Sequence, residues 1–344
     1  AGDLATLCAH LNGNTPISAA QPAPGATQPD GDYPDLDEVQ GQVAAKRALE
    51  VAAAGGHNLL LFGPPGTGKT LLASRLPGIL PPPSPDEVLT GLAVRDAYDG
   101  CCDSNFQRRP FRNPHHSATA AALTGGGAKP RPGEISLAHG GVLFLDELPE
   151  FSRHSLEALR EPMESGAVTI SRARHKTTYP ARFQLVAAMN PCPCGYLGDT
   201  ERPCRCTPEQ VQRYRARVSG PLLDRIDLHM PVTRVSAGDL LATNSKQESS
   251  GQVRRRVNRS RILQDERQGC ANVSLRPDQL AGVCAMGPAE MDQVRAAMTS
   301  MHLSARALHR TLRVARTIAD LDDADKVGAS HLWEALGYRP ADSA

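Results

Sequence analysis

The stretch HNLLLFGPPGTGKT, residues 57–70, contains a short apolar strand, Leu59 to Phe62, followed by a glycine-rich loop. The loop fits the pattern G-x-x-x-x-G-K-[ST], and a helix is predicted to begin at Thr70. In such a loop the backbone N–H groups surround the phosphates of a nucleotide, the lysine reaches the β- and γ-phosphates, and the final hydroxyl binds Mg²⁺. We therefore expect a nucleotide to be bound by Gly63, Pro64, Pro65, Gly66, Thr67, Gly68, Lys69 and Thr70.

Two more strand ends carry polar residues suited to nucleotide chemistry. The apolar stretch VLFLDE, residues 142–147, ends in two carboxylates: Asp146 is expected to help Thr70 hold Mg²⁺, and Glu147 to orient and polarise the attacking water. The stretch FQLVAAMN ends in Asn190, which could hold that water or the γ-phosphate, although an asparagine there can also simply form a turn. Short apolar strands that alternate with helices indicate an α/β fold with a parallel sheet.

Two arginines could complete the site. Arg225 follows a Gly-Pro break in GPLLDRIDL, and Arg306 lies at the start of a predicted helix in SARALHR. A cation at the γ-phosphate stabilises the charge of the transition state, and a neighbouring subunit can supply it. An ordinary surface ion pair is the alternative for each arginine.

Composition excludes several classes of protein. The chain has 344 residues, and its 38 Lys and Arg nearly balance its 37 Asp and Glu, so a polyanion would have to be bound by local basic patches. Its nine cysteines, an odd number, argue against a disulfide framework. No apolar run approaches the ~20 residues of a membrane helix, and no signal-peptide pattern is present. We expect a soluble, cytoplasmic protein that does not contact membranes.

Three regions are predicted along the chain. Residues 1–33 are rich in proline and are expected to be a linker with the remnant of an N-terminal domain. Residues 34–244 are expected to form the α/β ATPase domain, with a helix closed by Gly55-Gly56 before the first strand. Residues 245–344 contain only helix-like segments and are expected to form an all-helical lid domain. Its longest amphipathic segment follows a candidate N-cap, Ser304, with an apolar stripe at Leu308, Leu312, Ala315 and Ala319.

These motifs, in this order, resemble those of a known family. GPPGTGKT, VLFLDE, AAMN, LLDRID and SARALHR resemble the Walker A, Walker B, sensor 1, arginine finger and sensor 2 elements of an AAA+ ATPase. The stretches VQGQVAAKRALEVAAAGGHNLLLFGPPGTGKT, FRNPHHSATAAALTGGG, PRPGEISLAHGGVLFLDELPEF, NPCPCGY and SGPLLDRIDL resemble the magnesium-chelatase-like ComM/YifB family. The resemblance runs from about Asp35 to Tyr338. It implies a homo-hexameric, ATP-driven DNA helicase that promotes branch migration of incoming DNA in natural transformation. The family also carries an N-terminal Lon-protease-like domain, which we expect this chain to lack apart from a remnant.

Basic segments are the candidates for DNA contact. Val168–Ser171 and Arg182–Val186 are predicted to be strands that flank a hairpin tip without acidic residues. Six such tips in a ring would line a pore and bind a DNA backbone without reading its sequence. A second basic segment, residues 111–141, resembles the family's helix-2 insert and contains His115-His116, to which we assign no metal. Solubilising surface is the alternative for both segments. The predicted DNA-binding residues are Arg172, Arg174, His175, Lys176, Lys129 and Arg131.

Four cysteines directly after Asn190 form a candidate metal site. They follow the pattern C-x-C, nine residues, C-x-C, and four soft thiolates in a reduced chain suit tetrahedral Zn²⁺ with a structural role. Free thiols, or a redox-active or cluster role, are the alternatives. The predicted ligands are Cys192, Cys194, Cys204 and Cys206.

The leading hypothesis is therefore a ring-forming, Mg²⁺-dependent ATPase that moves DNA through its pore. One alternative is a motor of the metal-chelatase type that remodels a protein partner. Another is a protein unfoldase, a class that commonly needs an aromatic residue at the pore tip. Only Tyr179 lies near the predicted tip.

Overall fold

A computed structural model describes residues 4–17, 33–100, 108–127, 130–172, 175–235, 247–301 and 303–339. The chain divides into two units, Ala1–Asp32 and Tyr33–Ala344. The first unit contains helix α1 (Leu4–Leu11), which buries none of its residues. The second unit holds every predicted site residue. The domain boundaries proposed after residues 33 and 244 stay predictions.

In its described residues, the second unit alternates strands and helices up to residue 231 and contains only helices and turns between residues 250 and 337. Its described strands are β1 (Leu59–Phe62), β2 (Phe111–Arg112), β3 (Gly125–Gly126), β4 (Arg131–Pro132), β5 (Val142–Leu145), β6 (Ala167–Arg172), β7 (His175–Pro180), β8 (Gln184–Met189) and β9 (Leu228–Pro231). The described helices are α2 (Val43–Gly55), α3 (Lys69–Ile79), α4 (Pro85–Asp99), α5 (Ala120–Thr124), α6 (Glu134–Leu137), α7 (Arg153–Glu157), α8 (Arg160–Ser165), α9 (Pro208–Arg215), α10 (Gly220–Leu223), α11 (Ser250–Gln268), α12 (Pro277–Cys284), α13 (Pro288–Ser300), α14 (Ala305–Leu321) and α15 (Ala329–Gly337). Short 3₁₀ turns occur at Leu36–Glu38, Leu148–Glu150 and Asn272–Ser274.

A five-stranded sheet with the order β2-β5-β8-β1-β9 forms the centre of the second unit, and all its pairings are parallel. Leu59 of β1 aligns with Val186 of β8 on one side and with Leu228 of β9 on the other. Because the strands are parallel and in close register, the residues that follow β1, β5 and β8 meet at the C-terminal end of the sheet. That end carries the phosphate loop, the two carboxylates and Asn190.

Alternate residues of each central strand pack into two different cores, as the period of two in a strand requires. Leu59, Leu61 and Phe144 face a core shared with α2, α3 and the C-terminal helices. Leu60 and Leu143 face a second core, which α5 to α8 and α10 cover. Both faces of the sheet are therefore buried between helical layers, which confirms the predicted AAA+ α/β fold followed by a helical region.

Local signals account for where the long helices begin and end. Gly56, with a φ of +74°, ends α2 in the left-handed conformation that glycine adopts without strain. Ser304 accepts a hydrogen bond from the backbone N–H of Ala307 and so caps α14, as the sequence predicted. The buried His57 ring lies 2.8 Å from the Thr317 hydroxyl and ties α14 to the start of β1.

One expectation about local structure was wrong, namely which strands form the basic hairpin. The basic hairpin consists of β6 and β7, and β7 lies within the segment predicted to be the tip. The stretch Arg182–Val186, predicted to be the second hairpin strand, instead leads into β8 of the central sheet. The stretch SRHSLEALREPME forms two short helices, α7 and α8. Among the described residues, no helix combines the length and apolar character needed to cross a membrane.

Candidate nucleotide and metal sites

The phosphate loop joins β1 to α3 through two glycines in the left-handed region. Gly66 has a φ of +77° and Gly68 a φ of +85°, conformations that a residue with a side chain adopts only at a cost. Gly63 faces a different constraint, since a Cβ there would lie 2.1 Å from the carbonyl oxygen of Val232. The glycines of the motif thus fix the loop's shape directly before the N-terminus of α3, where backbone N–H groups and the helix dipole favour an anion.

The Lys69 ammonium lies inside this loop. Its Nζ donates to the carbonyl oxygens of Gly63 and Pro64, each at 2.8 Å, and to Oδ1 of Asn190 at 3.2 Å. Burial lowers the pKa of Lys69, and the nearby Asp146 carboxylate opposes that shift. Residues from the ends of β1 and β8, which the sequence placed independently, are therefore brought together.

Thr70 and Asp146 form a second contact at the C-terminal end of the sheet. The Thr70 hydroxyl donates to Oδ2 of Asp146 at 2.7 Å. Mg²⁺ binds oxygen ligands at about 2.1 Å in octahedral geometry, so two adjacent ligands are about 3.0 Å apart. These two oxygens fit that spacing and are of the type that Mg²⁺ prefers.

Glu147 is placed by an unusual backbone conformation and by a histidine that the sequence analysis did not assign. Its φ is +53°, and its N–H donates to Oδ1 of Asp146 at 2.9 Å. Its Oε2 lies 3.1 Å from Nδ1 of His116, whose ring packs at 4.1 Å from that of His115. Because His116 follows β2, the neighbour of β5, the topology brings it to Glu147; the adjacency of the two strands was the missing signal.

Arg225 and Arg306 come together on one carboxylate. Both guanidinium groups contact Oε1 of Glu164, with the Arg306 contact at 3.0 Å. The Arg225 carbonyl accepts a hydrogen bond at 2.9 Å from the side chain of Asn58, directly before β1. The phosphate loop follows β1. Arg225 therefore lies at the N-terminal end of the sheet, and the phosphate loop of the same chain lies at the C-terminal end.

The four cysteines after Asn190 converge on one point. Their sulfur atoms all lie within 4.8 Å of one another. The Sγ of Cys192 is 3.4 Å from that of Cys194 and 3.6 Å from that of Cys204, far beyond the disulfide bond length of about 2.05 Å. Backbone N–H groups of Arg205 and Tyr196 lower the pKa of Cys194 to about 6, whereas burial and the neighbouring thiols raise the pKa of Cys204 and of Cys206. A tetrahedral Zn²⁺ with Zn–S bonds of about 2.3 Å would separate its sulfurs by about 3.8 Å, so the four thiols fit a single ion.

The two basic segments lie side by side. The Tyr179 hydroxyl of β7 donates at 2.8 Å to the carbonyl oxygen of Pro130, in the turn that joins β3 to β4. The side chains of Arg131 and Lys176, one on each hairpin, are exposed. Lys129 and Arg174 lie outside the described residues, as do the side chains of Arg172 and His175, although Arg172 and His175 pair in the ladder.

The sheet, the phosphate loop and the helical region that follows define an AAA+ ATPase module. Family models described as magnesium chelatase, subunit ChlI, and as the C-terminal part of that subunit match residues 35–240 and 247–339. The chain therefore belongs to the magnesium chelatase ChlI family, in the branch that includes ComM and YifB.

Individual relatives agree with this assignment. YifB of Salmonella typhimurium is 49% identical over 99% of this chain and 67% of its own length. The competence protein ComM of Haemophilus influenzae is 50% identical over 89% of this chain and 60% of its own length. The DNA replication licensing factor mcm-6 of Caenorhabditis briggsae is 29% identical over 36% of this chain and 15% of its own length. The chain thus spans 60% to 67% of the two bacterial relatives.

Proposed function

We propose that this chain is the motor part of a ring-forming ATPase that uses Mg²⁺ and ATP to move along branched DNA. The observation that carries the ATPase assignment is the meeting of Lys69 with Asn190 and of Thr70 with Asp146, from three strand ends, at the phosphate loop. These two contacts support the roles that we propose for the four residues.

Hydrolysis would proceed as follows. The loop N–H groups and Lys69 bind the β- and γ-phosphates, and Asn190 orients the γ-phosphate or the water. Glu147 would accept the proton of the attacking water while the water oxygen bonds to the γ-phosphorus and the bond from that phosphorus to the β–γ bridging oxygen breaks, which releases ADP and phosphate. Its exposed carboxylate beside Asp146 supports this role. Thr70 and Asp146 would hold Mg²⁺, which would supply positive charge beside the phosphates.

Arg225 and Arg306 would act on the site of a neighbouring subunit. They lie at the N-terminal end of the sheet, whereas the phosphate loop of their own chain lies at the C-terminal end, and this separation supports the arrangement. A closed ring of identical subunits places the same pair of surfaces together at every interface. The arginines would then stabilise the charge that develops on the γ-phosphate across that interface.

Two observations support DNA as the substrate. The β3–β4 and β6–β7 hairpins are joined by Tyr179, and both carry exposed cations. The names of two relatives, a competence protein and a DNA replication licensing factor, point to DNA as well. A hexamer that promotes branch migration of incoming DNA in natural transformation is the form of this activity that we propose.

The same geometry bears on the alternatives. An unfoldase would present an aromatic side chain to its substrate, whereas the Tyr179 hydroxyl is bonded to Pro130 and its ring is half-buried. The competing proposal is a motor of the metal-chelatase type that remodels a protein partner; the match to a family model described as a magnesium chelatase subunit keeps it in competition.

The cysteine cluster is proposed to bind one structural Zn²⁺. The convergence of four sulfurs within 4.8 Å supports this assignment, because it leaves a closed set of ligands with no free position for chemistry. The ion would hold the loop that follows Asn190.

The test is ATP hydrolysis and DNA binding by the same preparation, measured with forked, duplex and single-stranded DNA across a salt series. We expect DNA to stimulate hydrolysis and its affinity to fall steeply with salt. Hydrolysis without any DNA binding would favour the protein-remodelling motor, and the absence of nucleotide binding would overturn the ATPase assignment itself.

A further inference from the structure

The loop that contains the four cysteines, residues 192–206, is called the cysteine loop below, and it packs directly against the phosphate loop. Gly195, between Cys194 and Tyr196, lies against the ring of Pro65, so that a Cβ at Gly195 would be 2.8 Å from Cδ of Pro65. The same Cβ would lie 3.9 Å from the side chain of Asn190. The φ of Gly195 is +86°, in the left-handed region that favours glycine. The cysteine loop therefore contacts both the phosphate loop and Asn190, which accepts a hydrogen bond from Lys69.

The sulfurs and this glycine form one local unit. The Gly195 N–H donates to the carbonyl oxygen of Cys192 at 3.0 Å. The Cys194 N–H lies 3.4 Å from the Cys206 sulfur, and the Cys206 N–H lies 3.4 Å from the Cys204 sulfur. An ion that fixes the four sulfurs would consequently fix the turn that supports Pro65.

A second path connects the far end of the same loop to the phosphate loop. The buried carboxylate of Asp199 accepts from Arg234, with Oδ2 at 3.0 Å from its Nε. The preceding carbonyl, that of Thr233, accepts from Nε2 of Gln42 at 2.7 Å, and the same Nε2 donates to the Thr67 carbonyl at 3.3 Å. The phosphate loop is thus braced on two sides by groups that depend on the cysteine loop.

We propose that the metal ion in the cysteine cluster holds the phosphate loop in its binding shape, so that nucleotide affinity depends on metal occupancy. This inference rests on the zinc and nucleotide sites proposed above and goes beyond a purely structural role for the ion. Since coupling between two binding sites is reciprocal, bound nucleotide would tighten the hold on the metal by the same factor.

The first measurement pairs metal content with nucleotide affinity in the full chain. Wild type is expected to contain one Zn²⁺ per chain and to bind a fluorescent ATP analogue. The double variant Cys204→Ser, Cys206→Ser is expected to lose the metal and to bind the analogue at least about fivefold more weakly. Cys270→Ser, which changes a half-buried cysteine in the helical region, is expected to retain both properties.

Substitutions at two glycines test the coupling between metal and nucleotide without removing any thiol of the cysteine loop. Gly195→Ala keeps all four thiols but forces a methyl group against Pro65, so we expect full zinc content with weakened nucleotide binding. Gly198→Ala is the matched control, because Gly198 has a similar φ of +79° in the same loop but nothing within 4 Å of its added methyl. It is expected to bind nucleotide like wild type.

Reciprocity supplies a readout that does not involve hydrolysis. Saturating ATP analogue should raise the Zn²⁺ affinity of wild type, measured by equilibrium competition with a chelator, and should have little effect in Gly195→Ala. Equal nucleotide affinity in wild type, the metal-free double variant and Gly195→Ala would overturn the coupling alone. Wild type without zinc would overturn the metal site as well, and zinc-loaded wild type that binds no nucleotide would instead overturn the ATP site.

Discussion

The carboxylate of Glu147 is the residue on which hydrolysis depends most directly in the proposed mechanism. Glu147→Gln keeps the size of the side chain but removes its ability to accept a proton from water. We expect ATP binding close to that of wild type and turnover reduced by about 10² to 10⁴, the usual contribution of a general base. Steady-state hydrolysis and equilibrium binding of an ATP analogue measure the two effects separately.

Glu150→Gln is the control for this substitution. Glu150 lies three residues further on, and its carboxylate pairs with Arg217 at 2.8 Å. Its removal should change turnover little, because an exposed ion pair contributes little energy. Unchanged turnover in Glu147→Gln would show that another group activates the water.

Among the elements of the fold, the two joined hairpins are expected to bind DNA through exposed cations. Lys176→Ala removes one cation from β7 and should weaken binding to all DNA sequences alike. If Lys176 neutralises one phosphate, the slope of log affinity against log salt should become shallower by about one in this variant. Lys326→Ala, an exposed lysine between α14 and α15, is the control. An equal drop in affinity in both variants would indicate nonspecific charge attraction and contradict a DNA-binding role for the hairpin.

The strand β9 carries a buried histidine that should make stability depend on pH. Burial, with a smaller contribution from the Arg339 charge, lowers the pKa of His229 to about 4. In the unfolded chain this pKa is about 6.5, so the unfolded state binds a proton first as the pH falls. This group therefore costs no stability above about pH 6.5 and removes up to about 3 kcal/mol as the pH falls towards 4.

Denaturant unfolding at pH 7 and pH 4.5 measures this contribution. His229→Gln should lose less free energy of unfolding between these two pH values than wild type does. His309→Gln, which replaces a half-buried histidine of α14, should follow wild type. If His229→Gln loses as much free energy as wild type, the acid sensitivity arises elsewhere.

The elements also show why some features could be predicted from the sequence and others could not. Loop chemistry at the ends of β1, β5 and β8 is local, and parallel pairing then brings Lys69, Asp146 and Asn190 together. The partner of a strand is not local: Arg182–Val186 has strand character, yet its pairing with β5 and β1 is decided by the whole sheet. Likewise the approach of His116 to Glu147 depends on which strands are neighbours, and the packing of Gly195 on Pro65 depends on the path of a loop.

At the scale of the whole molecule, the proposed mechanism requires more than one chain. The Arg225 carbonyl is bonded to Asn58, before β1, whereas the phosphate loop follows β1. The four residues of β1 span about 13 Å, so the length of this strand separates the backbone of Arg225 from the phosphate loop of the same chain. Arg225→Ala should consequently bind nucleotide but hydrolyse it slowly, while Lys69→Ala should bind nucleotide poorly.

Mixing these two inactive variants tests whether Arg225 acts across an interface. In a mixed ring, an intact phosphate loop from an Arg225→Ala subunit can meet an intact arginine from a Lys69→Ala subunit, and at equal amounts about a quarter of the interfaces are then complete. We expect hydrolysis to recover to about that fraction, with subunit exchange followed by mass measurement. Mixing Lys69→Ala with the double variant Lys69→Ala, Arg225→Ala, which offers no complete interface, should recover nothing. Mixed rings without recovery would place Arg225 outside the neighbouring site, because an arginine that acts only within its own subunit cannot restore the site of another.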